Sequence, residues 1–113
     1  MGRLIVRRVE KELKAICQAT QAVKHHLRRV MAAIEKDPSS FKELEEIPER
    51  IRAIPGVTVR KAEIKHDPHN YRLVFLHFRT EEGKEWSEVI YAFRRRKGYA
   101  LDWEWIENLL QGS

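Results

Sequence analysis

Apolar positions along this chain follow two different periods. In the first third, Val9, Leu13, Ile16, Val23, Leu27, Val30 and Ile34 recur at helical steps, with Thr20 in the same stripe. That spacing is one face of an α-helix. It predicts either one long helix or two with a break near residues 17–20, where Thr20 has the side chain to cap a second helix. Asp37-Pro38 ends the run, because proline disfavours helix in the residue before it. Upstream, residues 3–9 are short, β-branched and partly alternating, and read as a first strand or as the lead-in to the helix. Downstream, Ser39 or Ser40 is expected to cap a short helical segment. Its first part carries Glu43, Glu45 and Glu46, as the helix dipole prefers, and Pro48 divides it into two pieces.

After the Pro55-Gly56 turn signal the period changes to two. Residues 57–65 read as a strand, Asp67-Pro68-His69-Asn70 as a turn, and residues 71–80 as a second strand. Leu73 and Phe75 fall on one face of that strand, and Val74, Leu76 and Phe78 on the other. A strand apolar on both faces is usually central. Glu81-Glu82-Gly83-Lys84 has hairpin chemistry, and residues 86–96 form a third strand, which Lys97-Gly98 breaks. The tail satisfies two patterns. Tyr99, Leu101, Trp103 and Trp105 alternate as in a strand, while Asp102 followed by Trp103, Ile106, Leu109 and Leu110 fits a capped terminal helix. The order is (β)-α-α, then a three- to four-stranded antiparallel meander, with or without a closing helix. That order defines a single α+β domain over residues 1–113.

Composition narrows the partners. A chain of 113 residues is the size of one domain and buries roughly 65% of its unfolded surface, so a core needs neither disulfide nor metal. Lys and Arg number 22 against 17 Asp and Glu, and the pI is about 9.6. Such a balance points to nucleic acid or an anionic surface, and simple solubility would also account for it. The one cysteine, Cys17, excludes an internal disulfide and suits a reducing compartment. No stretch approaches the ~20 apolar residues of a membrane span, and the start lacks a signal-peptide pattern. A cytoplasmic location, with no membrane partner, is the expectation.

The candidate chemistry is cationic. Arg94, Arg95, Arg96 and Lys97 end the third strand, Arg72 follows the Asn70-Tyr71 turn, and Arg60, Lys61 and Lys65 line the first strand of the meander. Neighbouring strand ends in an antiparallel sheet bring several of these together, and clustered cations attract phosphate. Tyr71, Trp86 and Tyr99 are aromatic neighbours able to stack bases. A solvated strand end with gatekeeper charges explains the same residues. His66, His69 and His77 lack a recognisable metal-ligand spacing, so no metal and no cofactor are expected. His66 or His69 is a candidate general base. His25-His26, Cys17 and Lys24 read as structural. Trp103 and Trp105 pack the core or form a binding patch.

Three motifs stand in order: Glu35-Lys36-Asp37-Pro38, then Asn70-Tyr71-Arg72-Leu73-Val74-Phe75, then residues 89–99, Val-Ile-Tyr-Ala-Phe-Arg-Arg-Arg-Lys-Gly-Tyr. Together they resemble the RelE/ParE superfamily of bacterial toxins across nearly the whole chain. The resemblance implies a strand, two helices, a three-stranded antiparallel sheet and often a closing helix. It implies a metal-independent, ribosome-dependent endonuclease acting on messenger RNA, neutralised by a cognate antitoxin. On the matching positions, Arg72 contacts the scissile phosphate, Arg95 or a neighbour stabilises charge or protonates the leaving group, and Tyr99 stacks on or activates the substrate. Lys65 and Lys61 match the lysines of the preceding strand. The longer segment 49–59, the histidine hairpin and the Trp-rich tail depart from the family pattern.

Two alternatives carry different expectations. A ParE-like relative would inhibit gyrase without cleaving RNA. A cystatin-like or ketosteroid-isomerase-like pocket domain, natural or designed, would have one long first helix and a terminal strand. Its apolar pocket would be lined by Phe75, Ile90 and Trp103, and its open sheet would favour a homodimer.

Overall fold

The computed structural model describes residues 2–96 and 100–112. Strand β1 (Arg3–Ile5) leads through a 3₁₀ turn, Arg7–Val9, into helix α1 (Glu10–Cys17) and helix α2 (Gln21–Lys36). A short helix α3 (Glu49–Arg52) precedes strands β2 (Val57–His66), β3 (His69–Arg79) and β4 (Glu85–Arg94), and helix α4 (Trp103–Gln111) closes the chain. The four strands form one sheet in the order β1-β4-β3-β2. β2, β3 and β4 are an antiparallel meander, and β1 adds to β4 in parallel. Arg3–Val9 is thus both things its pattern allowed, a strand and then a lead-in to helix.

The helical stripe breaks where Thr20 stands. Its side chain accepts a hydrogen bond from the Val23 amide at 3.1 Å, which starts α2 as a new helix. Val23, Leu27, Val30 and Ile34 of α2 and Leu13 and Ile16 of α1 are buried against Ala62, Ile64, Leu73, Phe75, Val89 and Ala92 of the sheet. The opposite face buries Val59, Val74, Leu76 and Ile90 under Ile47, Ile51 and Ile106. Leu73 to Leu76 are all at most 1% exposed, which marks β3 as a central strand covered on both faces. In β4, Val74 faces Tyr91 and Phe75 faces Val89. Ile90 is the extra residue of a β-bulge, which re-aims the strand beyond it.

Two expectations are corrected, and the alternative left open for the tail is decided. The segment after Ser40 is not helical. Glu43 bridges Arg60, the Leu44 amide donates to Val59 O at 3.1 Å, and the Lys61 amide donates to Lys42 O at 3.0 Å. This stretch instead covers the outer edge of β2, a use of backbone that stops an exposed edge from pairing elsewhere. Helix begins only after Pro48, at Glu49, where proline's missing N–H is no loss. The tail is a helix and not a strand, because β1 already occupies the free edge of β4. Asp102 caps it by accepting from the Trp105 amide at 3.0 Å. Finally, Phe75 and Ile90 are buried in cores on opposite faces of the sheet, so with Trp103 they do not line one apolar pocket.

The turns are built as their residues suggest. Asp67-Pro68 joins His66 directly to His69 across a two-residue turn. At the other end Gly56 has φ +76°, and a Cβ there would sit 2.6 Å from Arg79 O. Only glycine fits that approach.

Candidate nucleic-acid interface

Strand alternation sorts the basic residues onto two faces of the sheet. Counting outward from the two-residue turn pairs Lys65 with Asn70 and Glu63 with Arg72. Lys61, Glu63, Lys65 and Arg72 therefore share the face that packs α4. Arg95, just beyond β4, is held beside them by its amide bond to Asn70 O at 2.8 Å.

These side chains meet at Glu63. Arg72 Nη2 donates to Glu63 Oε1 at 2.6 Å, and Arg95 Nη1 to Glu63 Oε2 at 3.2 Å. Lys65 Nζ lies 3.4 Å from Oε2. Burial acts to raise the Glu63 carboxyl, but the Arg72 hydrogen bond, the Arg95 and Arg72 charges and the Lys65 hydrogen bond outweigh it. Glu63 is held below the usual carboxylate range and stays ionised at neutral pH. Three cations against one carboxylate leave an excess of positive charge on a half-exposed patch. Within it, Arg72 Nε and the neighbouring Asn70 Oδ1 are buried and have no hydrogen-bond partner among the described residues.

A cavity of about 300 Å³ opens beside the patch. Its wall combines Val74, Phe93, Leu101 and Trp103 with Lys61, Arg72, Glu45 and Glu46. Arg72 belongs to both wall and patch, so the two are continuous.

The other predicted cations are elsewhere. Arg60 is on the opposite face, where its guanidinium donates to Phe41 O at 2.8 Å and to His77 Nδ1 at 3.2 Å. His77 is 5% exposed. It accepts from Arg60 at Nδ1, so its proton lies on Nε2, which donates to Glu85. The hydrogen bond from His77, opposed by burial and helped by Arg79, lowers the Glu85 carboxyl. Arg94 donates to Pro68 O at 3.1 Å, and Arg96 is exposed. Lys97 and Tyr99 lie outside the described residues.

Neither candidate general base joins the patch. His66 faces the helical layer, with its Nε2 2.9 Å from His26 Nδ1 on α2. Burial first, then His66 and Arg29, lower the His26 imidazole. His69 pairs with His66 across the turn on that same face. His25 is exposed and His26 half-buried, as a structural reading of that pair expects. Cys17, Trp103 and Trp105 are partly buried against the cores. Trp105 also carries the Arg8 guanidinium over its ring at 5.8 Å. Among the described residues, no three His, Cys, Asp or Glu side chains are placed to hold a metal ion. Likewise among them, no helix is long and apolar enough to cross a membrane.

Sequence reasoning missed Glu63. The signal was available, since a carboxylate stands between Lys61 and Lys65 on the same parity and opposite Arg72 once the turn fixes register. Compared with protein-family models, with curated proteins and with solved structures, the chain matches none.

Proposed function

We propose that this protein is an RNA-cleaving toxin of the RelE-like kind, acting in the cytoplasm on messenger RNA at the ribosome and neutralised by a cognate antitoxin. The observation that carries the reading is the convergence of Arg72, Arg95 and Lys65 on one half-exposed patch. Those are the positions that the resemblance gives to phosphate binding and proton transfer. The succession of strand, two helices, meander and closing helix agrees with it.

The chemistry is metal-independent cleavage by the ribose 2′-hydroxyl. That oxygen attacks the adjacent phosphorus, and the bond from phosphorus to the 5′ oxygen breaks. The products are a 2′,3′-cyclic phosphate and a 5′-hydroxyl. Charge accumulates on the non-bridging oxygens, where Arg72 and Arg95 neutralise it. Guanidinium stays protonated throughout, so these two residues stabilise charge rather than move protons. Preorganised cations commonly supply the largest part of such catalysis. Glu63 provides the preorganisation by fixing both guanidiniums before RNA arrives. A carboxylate pinned in this way is a weak base, so the 2′-hydroxyl proton passes to solvent water as the new bond to phosphorus forms, while the Lys65 ammonium gives a proton to the departing 5′ oxygen and regains one from solvent. A positioned acid contributes about 10²–10⁴-fold.

The test is a cell-free translation reaction with messenger cleavage mapped by primer extension. Cuts phased to codons, dependent on translating ribosomes and absent with Arg72→Ala, are the expected result. Folded wild-type protein that leaves messenger intact would overturn the enzyme and turn the reading to a non-cleaving, gyrase-inhibiting relative.

A further inference from the structure

The cavity beside the patch mixes charges of both signs with flat apolar walls. Phe93 and Trp103 supply aromatic surface, Lys61 and Arg72 supply cations, and Glu45 and Glu46 supply exposed carboxylates. A pocket meant only for phosphate would exclude those carboxylates, because like charges repel the ligand. An apolar-ligand pocket would have no use for either charge. The combination fits a nucleotide, whose phosphate needs cations, whose base presents a flat π-face, and whose edge presents N–H groups. Proteins read unstacked RNA bases by aromatic contact and by hydrogen bonds to the Watson–Crick edge.

The carboxylates select among the bases. Ionised Asp and Glu only accept hydrogen bonds. Guanine alone presents two adjacent donors, N1–H and the 2-amino group, which match the two oxygens of one carboxylate. Adenine and cytosine present one amino group beside an acceptor nitrogen. Uracil presents one N–H flanked by carbonyl oxygens that a carboxylate repels. We infer that the cavity lined by Phe93, Trp103, Glu45 and Glu46 is a guanine-selective nucleobase site, continuous through Arg72 with the phosphate-binding patch. The inference rests on the RNA-directed reading of that patch, and names the base that the patch holds next to the phosphate.

Calorimetric titration of the whole protein with the four 3′-mononucleotides tests it without ribosomes. 3′-GMP should bind at least about tenfold more tightly than the AMP, CMP or UMP isomers, the selectivity of a good bidentate pair. The double variant Glu45→Gln, Glu46→Gln changes only exposed side chains, so its fold is kept. It should bring the four affinities within about threefold of one another. Equal affinities in the wild type, preference for another base, no binding in the millimolar range, or an unchanged preference in the double variant would each overturn the site. The two readings fail separately. Guanine preference without messenger cleavage would strike the toxin reading alone, and cleavage without guanine preference would strike the base site alone.

Discussion

Two polar clusters lie on opposite faces of the same three strands, and both are made of arginine and glutamate. Around His77, the partners close on one another. Arg60 serves Phe41 O and His77, and His77 serves Glu85, which also accepts from Arg79 at 3.2 Å. His77 is almost fully buried. Around Glu63, two arginines and a lysine share one carboxylate, and most of the side chains reach solvent. The first cluster is a closed network whose role is to hold β2, β3 and β4 together. The second is open and cation-rich, and can take an anion. Residue type alone does not separate them, since Arg60 and Lys61 are neighbours in sequence, yet Arg60 joins the first and Lys61 lies on the face of the second, in the cavity wall.

On the proposed function, the largest effect expected to separate the clusters is on cleavage. Arg72→Ala should lower codon-phased messenger cleavage by about 10²–10³-fold, the loss typical of one preorganised charge donor. Circular dichroism should show the fold unchanged. Arg60→Ala should do the reverse. Cleavage should stay within about twofold of wild type, while urea unfolding shows a loss of about 1–3 kcal/mol, the cost of leaving buried acceptors unpaired. A comparable loss of cleavage in Arg60→Ala would erase the distinction between the faces.

Helix caps give a smaller effect that serves as a control on the frame. Asp102→Ala removes the acceptor for the Trp105 amide and should cost about 1 kcal/mol in the same unfolding assay. Because α4 walls the cavity, it should also weaken nucleotide binding, whereas Thr20→Ala, of similar cost, should not.

Acid behaviour sharpens the comparison further. In the folded protein the Glu63 and Glu85 carboxyls are both held below the ordinary carboxylate range. The unfolded chain therefore binds protons more readily than the folded one. Their stabilisation is complete above the ordinary carboxylate value and is lost as pH falls through the lowered one. Glu63→Gln should flatten the loss of stability below about pH 4.5 and leave stability at pH 7 lower. His26 has the same sign at a higher pH. Its lowered value makes stability decline as pH falls below 6.5, and His26→Gln should remove that slope.

Much of this fold was legible from periodicity. The helical stripe, the Thr20 break, the three strands and the double-faced β3 follow from step sizes of 3.6 and 2. The tail was not legible, because residues 99–110 satisfy both periods. What decided between them was β1 taking the edge of β4, a contact some eighty residues away in sequence that no local pattern carries. The failure at Glu43–Glu46 has the same origin. Acidic residues after serines resemble a helix start, but the open edge of β2 competes for that backbone and takes it. Within the site, Arg72, Arg95 and Lys65 were found as a basic cluster. Separating them from Arg60 and Arg94 required strand parity, and finding Glu63 required the register set by Asp67-Pro68.

Parity also supplies the most direct test. Arg94 and Arg95 are adjacent, equally charged and both exposed, yet Arg94 reaches Pro68 O and Arg95 reaches Glu63. Translation-dependent cleavage should be measured for Arg94→Ala beside Arg95→Ala. Near wild-type cuts are expected for Arg94→Ala, and loss of cuts for Arg95→Ala. Equal activity in the two variants, whether retained or lost, would contradict that expectation.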